Sequence, residues 1–433
     1  MFGFMKRINK NARIIVFFLL LFCLVFILWG IALFYEGYIS EHYASVSIRL
    51  KSEPVTTRVL LQANKNVRLE DNVNHMTITA WNSLENVKLE CEELSTLAKA
   101  NLIEVSGDVT KVYPIELVYG NVLSVDDNEG CLIDEATAYE LFHTVDAVGN
   151  LLTYGNQRYC IRGILKSTES VMIIQTLEES KTYSNLELTF INQDNAKQLA
   201  EEFLRQYGLA DRYVLMDGYL LTRGLSLIVR FPAWLLGFFL VYDLLSILYR
   251  RRRYPFHAIA LVLILIIFWL ILSRIMEFEM FIPEELIPTK WSDFAFWRNK
   301  FINLRNWRND VSYIMPHYKD VMFKQFAGRS LFYAAAATIG MAALIMHERM
   351  LYLGNRKAGS FVIIALLECV VIYLLFMTGK IFRLPRAYLG MPIFYMIVRD
   401  CYQWCRLKVT LILDSHLPTQ CKQRVQDTLR KRS

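Results

Sequence analysis

Hydrophobic residues fall in long uninterrupted runs towards both ends of the chain and in short alternating stretches between them. The first run, residues 14–35, carries no charged side chain. At about 1.5 Å per residue it is long enough to cross a hydrocarbon core of roughly 30 Å. It predicts a transmembrane helix that is retained as an anchor, because the residues at its end are bulky and aromatic rather than a small-residue cleavage site. Basic residues before the run and Glu36 after it place the N-terminus in the cytoplasm.

Further apolar runs predict a group of closing spans. Residues 225–249 and 256–273 lie on either side of four consecutive arginines at positions 250–253, which mark a short cytoplasmic loop. Three more runs follow at residues 331–346, 361–378 and 387–398. The last is short and contains Pro392, so five and six spans both remain open. The basic C-terminal tail favours six, because six spans return the C-terminus to the cytoplasm.

The stretch between the first and second spans, residues 37–224, has no apolar run of span length and predicts a domain on the outer face. Short alternating or β-branched stretches predict strands, and they read SVSIRL, TTRVLLQ, HMTITAW, LIEVSG and TYGNQRYCIRGIL. The stretch AKQLAEEFLRQYG has helical spacing and ends at a capping glycine, Gly208. We therefore expect an α+β domain with a core of its own.

A second outer segment is rich in aromatic and basic residues. In KWSDFAFWRNKFINLRNW, the residues Trp291, Phe294, Trp297 and Phe301 recur at helical spacing. Tryptophan and long basic side chains favour the level of the lipid headgroups, so the segment predicts a helix in the membrane interface. An aromatic box that binds a ligand is the alternative, although aromatic stripes are mostly anchors or packing faces.

These patterns predict a multi-span α-helical membrane protein with a large α+β extracytoplasmic domain inserted after the first transmembrane helix. The expected segments are the N-terminus and first span (1–36), the outer domain (37–224), two spans joined by a basic cytoplasmic loop (225–275), the aromatic interfacial segment (276–330), a closing membrane module (331–407) and a basic cytoplasmic tail (408–433).

Composition excludes several functional classes. Hydrophobic residues make up 54% and charged residues 21%, which fits a membrane protein with a substantial aqueous domain. The net charge of +7 lies mostly beside apolar runs, so membrane topology explains it and no nucleic-acid partner is expected. No phosphate-binding GxxxxGK[ST] loop, GxSxG elbow, HExxH pair or CxxC pair occurs. We expect no catalytic, cofactor-binding or metal-binding residue, and therefore no enzyme.

Two groups of acidic residues have competing interpretations. Five carboxylates cluster in the outer domain, and a solvated turn with a helix cap is favoured over a catalytic pair or a calcium site, because the spacing of a calcium loop is missing. They are Asp126, Asp127, Glu129, Asp134 and Glu135. Asp243 and Glu368 lie within apolar runs, where an ionised group costs several kcal/mol unless it is paired. Asp243 is placed to pair with the arginine run, and Glu368 is either a moving helix contact or a buried structural carboxyl.

Three cysteines, Cys91, Cys131 and Cys160, fall in the predicted outer domain. A bridge between Cys131 and Cys160 is one arrangement that would join two strands, but the connectivity does not follow from the sequence.

The stretches CLIDEATAYELF and AVGNLLTYGNQRYCIRGIL resemble the extracytoplasmic core domain of MacB/FtsX-type ABC transporter permeases. The resemblance implies a strand, a capped short helix, a turn and a closing strand. It makes Asp134 the helix cap, places the helix end at Leu141 and Phe142, and puts the turn at Val148 and Gly149. Gly163 then lies in the closing strand.

A second, distant stretch, HERMLYLGNRKAGSFVIIALLECVV, resembles the cytoplasmic coupling segment of the same permeases and the span after it. The resemblance implies that residues near 348–360 dock on an ATPase, with Glu348, Arg349, Gly354, Arg356 and Lys357 as the matching positions and Glu368 in the next span. The chain departs from the family pattern, because two spans and the aromatic segment precede the closing module.

The resemblance implies a permease subunit in the plasma or inner membrane that couples ATP hydrolysis by a separate ABC ATPase to movement of the outer domain, for export or for mechanotransmission. ATP and Mg²⁺ would bind the partner ATPase and not this chain. A homodimer, or a heterodimer with another permease, and an extracytoplasmic partner are the further expectations. The alternative is a membrane-anchored binding or scaffold protein that regulates a cell-envelope partner without transport.

Overall fold

The computed structural model describes residues 2–51, 54–69, 76–176, 178, 180–209, 213–250, 290, 292–314, 316–350 and 370, with seven positions between 259 and 270. The chain forms two compact units. We call residues 38–225 with 281–327 the sheet domain. The helical unit consists of residues 1–37, 226–280 and 328–433.

The described helices and strands are as follows, in chain order. The helices are α1 (Phe2–His42), α2 (Thr57–Leu69), α3 (Val109–Val112), α4 (Glu135–Phe142), α5 (Ala196–Gln206), α6 (Gly218–Val229), α7 (Phe231–Arg250), α8 (Phe294–Ser312) and α9 (Tyr318–Met350). The strands are β1 (Val46–Leu50), β2 (Val55–Thr56), β3 (Met76–Cys91), β4 (Thr96–Ser106), β5 (Leu117–Gly120), β6 (Gly130–Asp134), β7 (Leu151–Tyr154), β8 (Gln157–Leu165), β9 (Val171–Gln175), β10 (Thr182–Tyr183), β11 (Asn185–Phe190) and β12 (Tyr213–Asp217).

One mixed sheet organises the sheet domain. Its strand order is β12-β1-β11-β3-β4-β9-β6-β8-β5, and β7 pairs with β3 and β8. The β4–β9 and β6–β8 pairs are parallel, and the other pairs are antiparallel. The central strands β6 and β9 are buried along their whole length, as expected for short apolar runs with neighbours on both sides. The strands β12 and β5 form the two edges.

Three apolar clusters stabilise this sheet. The first packs α2 and α5 on β1, β11 and β3, through residues that include Ile48, Leu60, Leu188 and Phe203. The second packs α4 on the middle of the sheet, through residues that include Ile133, Leu141, Ile161 and Ile174. The third includes Trp81, Val105, Tyr113 and Ile173. The sheet domain therefore has a core on each side of its strands, as the α+β expectation requires.

The stretch TTRVLLQ was predicted to be a strand, and that prediction was wrong. Only Val55–Thr56 is extended, and the helix α2 begins at Thr57. Leu60 and Ala63 are buried, whereas Leu61 and Gln62 are exposed. This spacing of three residues is helical, and burial of Leu60 against the first cluster outweighs the β-branched residues at its start.

Within the described residues, two helical stretches are long and apolar enough to cross a membrane, Leu20–His42 and Tyr318–Met346. A third is present if Gly218–Val229 and Phe231–Phe239, which meet at a bend of 45°, form one span. Pro232 lies at the bend and has no backbone N–H to continue the helical ladder. The predicted spans at 361–378 and 387–398, except position 370, and most of 256–273 lie outside the described residues.

The apolar helices of the helical unit pack closely on one another. The indole N–H of Trp29 donates to the carbonyl oxygen of Val229 at 2.9 Å. A Cβ atom at Gly340 would lie 2.5 Å from the Cγ2 atom of Val25, so any side chain there would displace Val25 where α1 and α9 approach. Small residues at helix contacts are typical of packing within a bilayer.

Candidate functional site

The motif that carries the family resemblance is a structural junction. The Asp134 carboxylate caps α4 by accepting from the backbone N–H groups of Ala136 at 3.0 Å and Thr137 at 3.2 Å. It also accepts from the Thr137 hydroxyl and, at 2.8 Å, from the backbone N–H of Val171 in β9. Because Asp134 is 1% exposed, its carboxylate joins β6, α4 and β9 and is closed to a substrate.

The other motif positions shape the chain after this cap. Leu141 and Phe142 end α4, and His143 takes the left-handed conformation of a C-cap. Val148 is exposed, and Gly149 has φ +89°, a conformation that favours glycine. These residues turn the chain towards β7.

Gly163 lies where two backbones approach closely. A Cβ atom at Gly163 would be 2.7 Å from the carbonyl oxygen of Asn121. On the facing strand, a Cβ atom at Gly120 would be 2.2 Å from the carbonyl oxygen of Arg162. The β5–β8 pair therefore depends on both glycines.

Asp127, like Asp134, makes structural contacts within the predicted acidic cluster. Asp127 accepts from the Nε atom of Arg162 at 2.9 Å, and its other oxygen accepts from the backbone N–H of Glu129 at 3.3 Å. No group of three metal-ligating side chains occurs among the described residues. Cys91, Cys131 and Cys160 are free thiols, so the considered Cys131–Cys160 bridge is absent here. Burial raises the pKa of Cys131, which keeps that thiol protonated.

A buried ion cluster forms a second site, and sequence reasoning missed it. Glu187 in β11 has no exposed surface. Its carboxylate accepts from the hydroxyls of Ser45 at 2.8 Å and Ser47 at 2.7 Å, from Arg49 at 3.2 Å and from the Lys319 ammonium at 2.9 Å. Four donors satisfy the acceptor capacity of an ionised carboxylate. We call Ser45, Ser47, Arg49, Trp81, Glu187, His317, Lys319 and Asp320 the Glu187 cluster.

Arg49 contacts both carboxylates of the Glu187 cluster and the Trp81 ring. Its guanidinium carbon lies 4.7 Å from the centre of the Trp81 ring, and its Nη2 atom lies 3.5 Å from Asp320. The ring of His317 meets the Trp81 ring edge-on at 4.6 Å. Arg49 is 3% exposed, so its charge is balanced by the two carboxylates and the indole face rather than by water.

The topology explains why these side chains meet. Ser45 follows the end of α1 by three residues, and β1 then carries Ser47 and Arg49 on one face. The strands β1 and β11 pair with Ser47 opposite Glu187. Lys319 is the second residue of α9. The cluster therefore ties the chain just after α1 to the first turn of α9.

A third helix begins at the same place. The backbone N–H of Gly218, the first residue of α6, donates to the Ser45 carbonyl oxygen at 3.0 Å. A Cβ atom at Gly218 would lie 2.1 Å from the Tyr43 carbonyl oxygen, so only glycine fits. Ser45, three residues after the end of α1, thus contacts both the first residue of α6 and the second residue of α9.

The surroundings favour an ionised Glu187 and a neutral His317. Burial alone would raise the pKa of Glu187, but Lys319, Arg49 and the Ser47 hydroxyl outweigh it and lower the pKa to about 2. Burial and the charge of Arg49 lower the pKa of His317 to about 4, although the carboxylates of Asp320 and Glu187 act to raise it. At neutral pH the cluster therefore holds an ionised Glu187 beside a neutral His317.

We expect the sheet domain to lose about 2 kcal/mol of stability through His317 as the pH falls from 7.5 to 5. The unfolded chain binds a proton near pH 6.5, whereas folded His317 does so only near pH 4, so protonation favours unfolding in that window. Urea unfolding of the full chain, monitored by pulse proteolysis at pH 7.5 and at pH 5, measures this loss of stability. His317→Phe keeps the ring contact with Trp81 and should remove this part of the pH dependence. Equal slopes for the two proteins would contradict the assignment.

The structure does not test the predicted coupling residues. Asp243 lies in α7 and Glu348 and Arg349 lie at the end of α9, but their side chains are outside the described residues. Gly354, Arg356, Lys357 and Glu368 also lie outside them. The signal that could have revealed the Glu187 cluster is a glutamate inside the apolar strand NLELTF, because a buried carboxylate requires a partner elsewhere.

Neither a family model nor a curated protein matches the chain. Among solved structures, the periplasmic region of MacB from Actinobacillus actinomycetemcomitans is similar over 43% of this chain and 94% of that one, with 15% identity and a TM-score of 0.35. The extracellular domain of the noncanonic ABC-type transporter YknZ from Gram-positive bacteria is similar over 40% of this chain and 99% of that one, with 16% identity and a TM-score of 0.32. Both similar structures are domains that lie outside the cytoplasm.

Proposed function

We propose that this chain is the membrane subunit of an ABC transporter, and that a separate ATPase drives movement of the sheet domain through the helices that enter it. The observation that carries the proposal is the Glu187 cluster. It joins residues next to α1 to the start of α9 around a carboxylate with no exposed surface. Each of the two helical stretches that are apolar enough to cross a membrane has one end within the sheet domain, beside this cluster.

A buried ion cluster suits transmission of force. Separating Lys319 from Glu187 would leave the buried ammonium without its carboxylate and Glu187 with Arg49 as its one cationic partner, which costs several kcal/mol. Displacement of α1 against α9 at this level is therefore opposed, and the sheet domain would follow the helices as a body. The cytoplasmic segment near residues 348–360 would receive the motion from the ATPase, as the family resemblance implies.

In this role the chain itself would catalyse no reaction. Asp134 and Glu187 are closed to substrate, and Asp127 is paired with Arg162. The partner ATPase would bind ATP and Mg²⁺. Export of a cargo and mechanical control of an extracytoplasmic partner both use the same motion.

The test is co-purification of the full chain with the ABC ATPase encoded nearest to it, with ATP turnover measured in the complex. We expect Arg356→Glu with Lys357→Glu to weaken association by about tenfold, because each reverses a charge in the proposed docking segment. Lys422→Glu in the basic tail is the matched control and should leave association unchanged. If no ATPase binds, the scaffold alternative replaces the transporter. If the tail variant weakens binding equally, residues 356 and 357 are not the docking site.

A further inference from the structure

The helix α8 is exposed although it contains several aromatic and aliphatic residues. None of its 19 residues is buried. Phe294, Phe301 and Leu304 expose 84%, 70% and 60% of their surface. Asp293 caps the helix by accepting from the backbone N–H groups of Ala295 and Phe296 at 3.0 and 3.1 Å. The helix is thus well formed, yet it leaves large apolar side chains uncovered.

One end of α8 is fixed to the sheet domain. The indole N–H of Trp307 donates at 2.9 Å to the carbonyl oxygen of Leu215, which lies in the edge strand β12. Asp310 pairs with Lys51 at 3.6 Å. These contacts hold the C-terminal half of α8 and leave the exposed aromatic residues in the N-terminal half.

Three of the exposed apolar residues share a stripe with Trp297, which is partly buried, whereas the exposed Ile302 lies on another side of the helix. Phe294, Trp297, Phe301 and Leu304 are spaced by three or four residues and therefore share one side of the helix. Arg298 and Arg305 border this stripe, and Arg308 continues it one turn beyond Leu304. Asp310, the one acidic residue within α8, lies on another side and already has a basic partner.

We propose that the stripe of α8 inserts into the headgroup layer of an anionic lipid bilayer, with Arg298, Arg305 and Arg308 contacting lipid phosphates. An apolar stripe bordered by arginines is complementary to a surface that is apolar below and negative above. A protein partner would also bury the aromatic residues. However, the charged residues of α8 beside the stripe are all basic, and they lack the mixture of positive and negative charges that would fix one binding position on a protein. The inference requires a membrane-embedded chain and does not depend on an ATPase.

The test places the photoreactive residue p-benzoylphenylalanine at position 301 or at position 306 of the full chain. Asn306 is exposed and lies about 140° around the helix from Phe301. In vesicles of phosphatidylglycerol and phosphatidylcholine in equal parts, irradiation should give lipid adducts at position 301 at least about fivefold above those at 306. Equal adducts at the two positions, or adducts at 301 to a second copy or another protein, would overturn the proposal.

A charge variant tests the anionic component. Arg298→Gln, Arg305→Gln and Arg308→Gln together should lower the adducts at position 301 about threefold or more, to the level seen in pure phosphatidylcholine. The triple change to lysine should restore them, which separates loss of charge from misfolding. Lys324→Gln, at an exposed position of α9, is the control and should have no effect. Adducts that are insensitive to both the arginines and the lipid charge would contradict the role of lipid phosphates.

Discussion

Lys319→Met is expected to lower the free energy of unfolding of the sheet domain by about 3–5 kcal/mol, because it leaves the buried Glu187 carboxylate with one cationic partner instead of two. The ammonium of Lys319 donates to Glu187 at 2.9 Å and also to the Lys111 carbonyl oxygen. Methionine fills a similar volume, so the loss reports the missing charge rather than a cavity. Urea unfolding of the full chain in detergent, followed by pulse proteolysis, measures the change.

Lys324→Met is the matched control for that experiment. Lys324 lies on the same helix and is exposed, so its loss should change stability by less than about 0.5 kcal/mol. Adding Glu187→Gln to Lys319→Met should cost much less than Glu187→Gln alone, because the unpaired carboxylate is then gone. Strict additivity of the two changes, or equal losses for Lys319 and Lys324, would show that the pair does not stabilise the domain.

The same variant bears on function. If the Glu187 cluster transmits force between the helices and the sheet domain, Lys319→Met should uncouple ATP turnover from movement of the domain while the ATPase still binds. Arg356→Glu with Lys357→Glu should instead weaken the binding itself. The two variants therefore separate failure of the junction from failure of ATPase docking.

The sequence predicts most reliably what is local. The cap at Asp134, the helix that ends near Gly208 and the first apolar run, residues 14–35, which overlaps the helical stretch Leu20–His42, each depend on neighbouring residues. Their patterns are recognisable without a partner. The stretch TTRVLLQ shows the limit of this approach. Its β-branched start suggested a strand, whereas packing of Leu60 against distant strands selects a helix.

The Glu187 cluster could not be predicted in the same way. Glu187 meets Arg49 across 138 residues of sequence and Lys319 across 132. These contacts depend on the β1–β11 register and on where α9 starts, and a one-residue shift of either strand would turn its polar residues to the other face. A buried glutamate in a strand indicates that it has a partner elsewhere in the chain, but it does not identify that partner.

Asp134→Ala is expected to lower the free energy of unfolding by about 3 kcal/mol, the second largest loss that we predict. The change removes the N-cap of α4, which is typically worth about 1–2 kcal/mol. It also leaves the buried N–H of Val171 without its acceptor at 2.8 Å, which adds about 1–3 kcal/mol. Pulse proteolysis of the full chain in urea reports the total, and hydrogen exchange should show the loss in α4 and β9 together.

Asp293→Ala provides the comparison that isolates the role of β9. Asp293 caps α8 with the same pair of backbone bonds, but no strand donates to it among its described contacts. Its loss should fray the exposed first turn of α8 and leave the sheet domain as stable as before. If Asp134→Ala costs no more than Asp293→Ala, the carboxylate acts as a cap alone. A larger loss for Asp134→Ala would show that the carboxylate also fixes α4 to the sheet, because that change leaves the strand N–H of Val171 without its acceptor.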